Sequence, residues 1–363
     1  MTSTTYPESA KDWKGQFIKH LLYALAENAD IKLGIWAPPG EIPPSVDYCA
    51  TEMEKIWLKN LSRQGGIAHV LRNNKLQGII QASLLLKIMR QAYKRNSTVD
   101  IIHANWLQSI LALPRTKSPV VTSVLGTDFA LLKLPGMTKA IRSKLRDRKV
   151  IITPNAEWMT PVLENHFGDL AGIKTIPFGV DNVWFNVDSH ENLETPRKWL
   201  VVLRVTAKKI GPLFEWGESI FRGSDELHLL GPMQENLNIP SWVKYHGPTN
   251  PNELANTWFP QAFGFITLSE HDEGRPQVLL EAMAAGLPII ASSISAHKNL
   301  FDHKHTGWLV DSKESLIKGI HWLQQEPNRK TVVASAKNWV ITNVGTWRDC
   351  ANRYIDIYHS LLD

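Results

Sequence analysis

Cysteine is nearly absent from this 363-residue chain, which contains only Cys49 and Cys350. The two residues are far apart, and neither stands in a spacing typical of metal ligands. This excludes a disulfide framework and a zinc site of the Cys-x-x-Cys kind. We therefore expect a reducing compartment. An Asp-x-Asp motif in a suitable context is also missing, and for that reason we expect no bound divalent metal.

Long apolar runs are also missing, since no stretch approaches the 18 residues needed to cross a bilayer. The N-terminus shows no signal-peptide pattern. From these absences we expect a cytoplasmic protein. The first seven residues, MTSTTYP, leave room for only a short first strand, or for none.

Charge is distributed unevenly along the chain. Residues 1–180 contain 23 Lys and Arg against 14 Asp and Glu, a net charge of 23 − 14 = +9, whereas the remainder has 17 against 21, or −4. Much of the excess lies in 87–95 and 139–149, where the spacing predicts helices with one apolar and one cationic face. Each is either a solvated surface helix or a face that rests on anionic lipid at the inner side of a membrane.

Apolar strands and helical segments alternate through the chain, with strands expected near 31–37, 99–104, 119–125, 149–154, 173–177, 199–204, 227–231, 243–246, 263–268, 287–292 and 307–310. Such alternation predicts an α/β fold with doubly wound parallel sheets covered on both faces. The polar segment VDSHENLETPRK places a domain boundary near 180–197, between domains 1–180 and 181–346. An amphipathic helix is expected over 347–362.

The segment EGRPQVLLEAMAAGLPIIAS, 273–292, has the clearest chemical pattern. Pro276 suits the first turn of a helix and Gly286 suits its end, so we expect a helix over about 276–285, with Glu273 in the preceding loop. A helix start attracts phosphate, and Gly274 permits close approach of a ligand. Two carboxylates, Glu273 and Glu281, can accept hydrogen bonds from sugar hydroxyls. The spacing alone also occurs by chance, and both residues could be ordinary surface carboxylates.

This segment resembles the Glu-(seven residues)-Glu motif of retaining glycosyltransferases of family 4. The resemblance implies the GT-B fold, in which two Rossmann-like domains face across a cleft. It implies that Glu273 contacts the transferred sugar and Glu281 the ribose hydroxyls of a nucleotide. We also expect Gly274, Arg275, Gln277 and Val278 to border the donor.

Further similarity to this family extends along the chain. WLVVLRVTAKKIG, 199–211, resembles the family stretch in which two cations, here Arg204 and Lys209, grip the diphosphate. Leu203 stands where the family usually has glycine. VKYHGPTNPNEL resembles the part that cups the base, near Gly247 and Thr249. Gly15 is the counterpart of the glycine turn after the first strand.

In the first half, DIIHANW and SPVVTSVLGTDF resemble two strand ends of the family, which makes His103 and Asp128 candidate catalytic residues. Leu125 replaces the histidine usual in the second of these, and Phe178 stands where asparagine is usual. By resemblance, the 347–362 helix crosses back onto the first domain.

The resemblance implies a metal-independent, retaining transfer of a sugar from a UDP- or GDP-sugar to a saccharide or lipid-linked acceptor, with no further cofactor. The leaving diphosphate would assist departure of its sugar, stabilised by Arg204 and Lys209. Two alternatives remain, an inactive nucleotide-sugar-binding protein and a GT-B epimerase. A dehydrogenase is disfavoured because no Gly-x-Gly-x-x-Gly follows a strand, and we expect no nucleic-acid partner.

Overall fold

The computed structural model describes residues 1–9, 12, 14–187, 195–271 and 273–363. The chain divides into two compact units. Unit 1 comprises Met1–Phe178 together with Trp347–Asp363, and unit 2 comprises Gly179–Thr346. Residues 188–194, most of the predicted boundary segment, lie outside the described residues.

The strands of unit 1 are all parallel. Two of them form one sheet and four form another, in the order β3-β4-β5-β6. Thr2 makes parallel bridges to both Trp36 and Ala104, so residues 1–3 lie between β1 and β3 as a very short first strand. The strands are β1 (Gly34–Ile35), β2 (Asp47–Tyr48), β3 (Ile102–Asn105), β4 (Val120–Val124), β5 (Val150–Pro154) and β6 (Gly172–Ile173).

Helices cover both faces of this unit. The core on one face includes the C-terminal helix, Trp347–Leu362, and the other core includes the four-stranded sheet and the helices that follow β2 and β4. The helices are α1 (Gln16–Ala26), α2 (Glu52–Arg63), α3 (Ile67–Asn73), α4 (Lys75–Arg95), α5 (Met137–Leu145) and α6 (Thr160–Phe167), with 3-10 turns at Leu107–Ala112, Thr127–Lys133 and Glu157–Met159. Gly15 caps α1 with a left-handed backbone, φ 70°.

The prediction of a helix over 139–149 is wrong for the second half of that segment. Helix α5 ends at Leu145, and Asp147 has a positive φ of 64°, which a continuing helix does not allow. Its cations are also engaged, because Arg142 pairs with Asp169 through both terminal nitrogens and Lys144 donates to the Leu113 carbonyl. A continuous cationic face is therefore absent there.

Unit 2 contains one six-stranded parallel sheet, ordered β12-β11-β10-β7-β8-β9. The chain proceeds outward from β7 to β9 and then returns to the other side of β7, so the topological switch point lies between β7 and β10. The strands are β7 (Arg197–Val202), β8 (Asp225–Leu230), β9 (Val243–Tyr245), β10 (Ala262–Thr267), β11 (Ile289–Ser292) and β12 (Trp308–Val310). All eleven predicted strand regions are confirmed, while β2 was not predicted.

Two cores again lie on the two faces of the unit 2 sheet. The helices are α7 (Asn182–Phe185), α8 (Ala207–Ile210), α9 (Leu213–Gly217), α10 (Pro251–Glu253, continued by a π turn at Leu254–Trp258), α11 (Gln277–Ala284), α12 (Ser295–Lys298), α13 (Lys313–Gln324) and α14 (Glu326–Asn343). Helix α11 is one residue shorter at each end than predicted. Within the described residues, no helix is long and apolar enough to cross a membrane.

Candidate functional site

The candidate site lies in unit 2 at the carboxyl ends of β7 and β10, where open α/β sheets bind ligands. The loops after these strands are tied together, because the Glu270 N–H donates to the Lys208 carbonyl at 2.8 Å. Gly211 has φ 54°, and a Cβ there would stand 2.1 Å from the Leu268 carbonyl oxygen. Glycine is required at this position by both the backbone conformation and the close approach.

Lys209 and Glu273 form an ion pair across these two loops. Their side chains are only 15% and 19% exposed, so the pair is shielded from solvent far more than a surface salt bridge. Thr206 caps α8 by accepting from the Lys209 N–H, which orients that short helix. The structure thus brings together two of the residues that the sequence singled out, 64 positions apart.

The N-terminus of α11 points its first-turn N–H groups toward the same loop. Pro276 is its N-cap, and no side chain caps it. The side-chain amide of Gln277, which the sequence placed beside the sugar donor, donates instead to the Gly179 carbonyl of the same unit at 2.7 Å. The Glu273 carboxylate therefore precedes a helix N-terminus that no side chain caps.

A small cavity of about 30 Å³ opens between these elements, with room for one or two water molecules. Its lining includes Lys209, Glu273, Val278, Ser269 and His297. The cavity is too small for a sugar as it stands, but it borders the ion pair and the start of α11.

His297 in α12 is buried, and its Nδ1 donates to the Ser292 carbonyl at 2.9 Å. That bond defines the neutral tautomer, with Nε2 as an acceptor. Burial lowers the pKa of His297, and the Lys209 ammonium acts in the same direction, while the bond to Ser292 and the Glu273 carboxylate oppose it. A neutral imidazole thus lies beside the ion pair at neutral pH.

Glu281 is partly buried in α11, about one turn beyond the helix start. Burial raises its pKa from 4.5 to about 7, and the carboxylate of Asp181 adds to the effect. Asp181 caps α7 by accepting from the Val183 N–H at 3.0 Å. A carboxyl with this pKa changes its charge close to neutral pH, so a hydrogen-bonding ligand can change its protonation.

The remaining donor-site candidates in unit 2 follow β7, β9 and β10. Arg204 follows β7 and is partly buried, and Gly274 is buried. Arg275 is buried and donates to the Asn299 amide oxygen at 3.2 Å. Gly247 has φ 76° with open space around it, and the Thr249 hydroxyl donates to Glu253 at 3.0 Å. Both of these follow β9, which is separated from β10 by β7 and β8.

His103 has a structural environment in unit 1. It lies inside β3, only 4% exposed, with Nδ1 2.7 Å from the Tyr358 hydroxyl and Nε2 2.8 Å from the Ser123 hydroxyl. Burial lowers its pKa to about 3, so it is neutral at physiological pH. We therefore assign His103 to the packing of the C-terminal helix and leave it out of the proposed site.

Asp128 is also buried, and its carboxylate accepts the N–H groups of Leu107, Leu125 and Gly126 at 2.9–3.0 Å. These bonds join the loops that follow β3 and β4. Burial raises its pKa, and the three bonds oppose that effect. Its contacts are those of a loop anchor, and Leu125 contributes to the core on the C-terminal-helix face.

Sequence reasoning missed His297, Ser292 and Asp181. Ser292 ends β11 and His297 follows it, just as Glu273 follows β10. Their position at the carboxyl end of a strand could have identified them. Asp181 approaches Glu281 only through the packing of α7 on α11. Among the described residues, no group of three or more His, Cys, Asp or Glu side chains is arranged to hold a metal ion.

Residues 221–339, about a third of the chain, match the family model described as "Glycosyl transferases group 1". An uncharacterized glycosyltransferase of Haemophilus influenzae is 31% identical over 131 residues, which is 35% of this chain and 35% of that protein. The chain thus spans about a third of the length of the curated relatives it matches. Arg204 and Lys209 precede the family-model region, whereas Glu273 and Glu281 lie inside it.

Solved structures match nearly the whole chain. Sucrose-phosphate synthase from Thermosynechococcus elongatus has a TM-score of 0.71 at 15% identity, covering 99% of this chain and 98% of that one. HepE from Anabaena, in complex with UDP and glucose, has a TM-score of 0.63 at 12% identity, covering 98% of both chains. The fold is therefore GT-B, as predicted, and the residues that match the group 1 model lie in its second unit.

Proposed function

We propose that this protein is a retaining, metal-independent glycosyltransferase of family 4 that transfers a sugar from a nucleoside-diphosphate donor to an acceptor hydroxyl. We further propose that the acceptor is a saccharide or a lipid-linked precursor in polysaccharide, lipopolysaccharide or glycolipid synthesis. The group 1 match in unit 2 and the GT-B fold support the class of activity. The UDP and glucose bound by the structural neighbour HepE support a UDP-sugar as the first donor to test.

One observation carries the proposal, the shielded Lys209–Glu273 pair at the switch point. A diphosphate needs a cation and backbone donors, and Lys209 and the start of α11 supply both. A sugar needs a carboxylate for its hydroxyls, and Glu273 supplies it in the same place. An ordinary surface salt bridge has no reason to lie at the topological switch point and beside a helix N-terminus, as this pair does.

The remaining residues receive roles by position. Glu281 holds the ribose hydroxyls, and the loop with Gly247 and Thr249 borders the base. Arg204 joins Lys209 on the diphosphate.

In the proposed reaction, the bond between the anomeric carbon and the diphosphate oxygen breaks, and Arg204, Lys209 and the α11 N-terminus stabilise the charge that the diphosphate acquires. The acceptor oxygen attacks the same face, and its proton passes to a diphosphate oxygen. The anomeric configuration is thereby retained.

The first experiment is a thermal-shift panel of nucleoside diphosphates and their sugars. A ligand at 100 times its dissociation constant adds about 2.7 kcal/mol of stability, which is readily detected. The donor so identified is then tested for hydrolysis and transfer, with product anomers assigned by NMR. An inverted product, or a panel without any stabilising nucleotide, would contradict the proposal.

Lys209→Met provides the variant test, and Lys208→Met is its matched control because Lys208 is the exposed neighbour in the same short helix. Transfer should fall strongly in the first variant and remain in the second. Equal activity of both would remove the diphosphate role of Lys209.

A catalytically inactive nucleotide-sugar-binding protein remains the second candidate. It is favoured by Leu125, which packs into the core where relatives are expected to present a histidine. Binding of a nucleotide-sugar, with neither hydrolysis nor transfer to any acceptor in the extracts tested, would indicate that the protein is inactive.

A further inference from the structure

Helix α4 of unit 1 has an exposed face of unusual composition. Leu76, Ile79 and Ile80 are 71%, 58% and 57% exposed, and Leu84 is 36% exposed. At 3.6 residues per turn these four positions fall on one side of the helix. Isolated exposed apolar residues are common, but a row along one helix face marks an interaction surface.

The same side continues toward the C-terminal end of α4 with cations. Three exposed cations lie there, Lys87, Arg90 and Lys94. At 3.6 residues per turn they project from the same side of the helix as Leu76 and Ile79. None of the three makes an ion pair or hydrogen bond with another of the described residues. The face is thus apolar in its first half and cationic in its second, over about 27 Å.

The opposite side of α4 anchors the helix. Gly78, Leu85, Met89, Ala92 and Tyr93 are buried there, and the last four belong to a core of unit 1. The helix therefore stays formed without help from its exposed face.

The surrounding sequence strengthens the charge pattern. Residues 55–99 contain nine Lys and Arg and no Asp or Glu. The other basic segment, 139–149, offers no equivalent, since Arg142 in α5 is paired with Asp169 and Arg148 beyond it donates to the Pro114 carbonyl at 2.7 Å.

We propose that the exposed face of α4 docks the protein on an anionic lipid bilayer. Leu76, Ile79 and Ile80 enter the boundary between headgroups and acyl chains, while Lys87, Arg90 and Lys94 contact lipid phosphates. This matches the physics of interfacial helices, in which buried apolar area and attraction to anionic lipid act together. The inference is independent of the sugar-transfer proposal, because it concerns only unit 1.

A second copy of the chain fits this face poorly. A parallel two-fold pairing of α4 would place the cationic halves against each other, and an antiparallel pairing would place cations against apolar side chains. A bilayer satisfies both halves at once.

Co-sedimentation with phosphatidylcholine vesicles and with equimolar phosphatidylcholine–phosphatidylglycerol vesicles tests the proposal. The protein should bind the anionic vesicles only, and more weakly as NaCl rises. The triple variant Lys87→Gln, Arg90→Gln, Lys94→Gln should lose on the order of a hundredfold in vesicle affinity. The triple variant Leu76→Ser, Ile79→Ser, Ile80→Ser should lose at least about tenfold.

Matched controls separate this face from net charge and general hydrophobicity. Lys133→Gln, Lys139→Gln, Lys174→Gln removes three exposed cations elsewhere in unit 1, and Ile341→Ser removes an isolated residue of unit 2 that is 55% exposed. Both controls should bind vesicles like the original protein, and far-ultraviolet circular dichroism should show every variant folded.

Three outcomes would overturn the proposal. They are absence of binding to anionic vesicles, equal loss in the control and α4 charge variants, and a dimer in sedimentation velocity that the Leu76, Ile79 and Ile80 substitutions dissolve. The last would assign the face to a second copy.

Discussion

Glu281 offers the sharpest test of the site because its charge can be followed with pH. Its folded-state pKa is about 7, against a usual value of 4.5. The protonated carboxyl is therefore preferred in the folded protein, and the folded state loses stability as pH rises from about 4.5 to about 7. At about 1.36 kcal/mol per pKa unit, the full loss above pH 7 is about 3 kcal/mol.

Glu281→Gln removes this titration while keeping the shape of the side chain. The variant should be more stable than the original protein by about 3 kcal/mol at pH 8, and by less than about 1 kcal/mol at pH 5. Urea unfolding at both pH values measures the difference, with Glu270→Gln, an exposed carboxylate of the same unit, as control. A stability difference that is the same at pH 5 and pH 8 would refute the reasoning.

Ligand binding should reverse the preference of Glu281. Ribose hydroxyls that donate to an ionised carboxylate favour its charged form. With a pKa of about 7 the ionised fraction rises from about one tenth at pH 6 to nine tenths at pH 8, so affinity should rise about tenfold over that range. A nucleotide-sugar is the proper ligand, because its diphosphate does not titrate there. In calorimetry, affinity that rises as steeply for Glu281→Gln as for the original protein would remove Glu281 from the ribose role.

The remaining predictions concern turnover, sugar recognition and packing. In steady-state kinetics, Arg204→Ala and Lys209→Ala should each lower kcat more than donor affinity, with a loss of transition-state stabilisation of roughly 1.5–3 kcal/mol. Activity should survive treatment with EDTA, and a loss of activity that added metal restores would contradict the mechanism. Glu273→Ala should cripple transfer and leave calorimetric affinity for the bare nucleoside diphosphate nearly unchanged, with Glu270→Ala as control; loss of both would make Glu273 a loop support. His103→Ala should cost about 1–3 kcal/mol in unfolding experiments and spare nucleotide affinity, since it leaves the buried Tyr358 hydroxyl without its partner, whereas Ser123 keeps its bond to Tyr354. A selective loss of turnover would return His103 to catalysis.

Much of the fold was predictable because local patterns and tertiary structure agree. Buried parallel strands such as β10 are continuous apolar runs, and Pro276 and Gly286 mark the ends of α11. Strand β2 was missed because two residues with little burial carry no periodicity. The predicted helix at 139–149 failed because a favourable helical pattern does not reveal that Asp147 adopts a left-handed backbone.

The site was predictable only in part, for a different reason. Glu273 and Glu281 could be proposed from sequence because they stand in one local motif. The environments of His103 and Glu281 depend on Tyr358 and Asp181, which are remote in sequence and meet them only after the chain has packed. Sequence pattern indicates which groups can react, whereas burial and neighbouring charge decide their protonation.

In the proposed donor complex, the Lys209–Glu273 pair would link recognition of the diphosphate to recognition of the sugar. In the ligand-free protein each charge is the other's partner, and a shielded charge left without a partner is unfavourable. A diphosphate that takes Lys209 releases Glu273, whose carboxylate then needs new donors, and the hydroxyls of the transferred sugar supply them. Because the diphosphate must displace Glu273, removing that carboxylate should not weaken binding of the bare diphosphate and should if anything strengthen it. The sugar gains no such compensation, which is why loss of Glu273 is expected to separate nucleotide affinity from transfer.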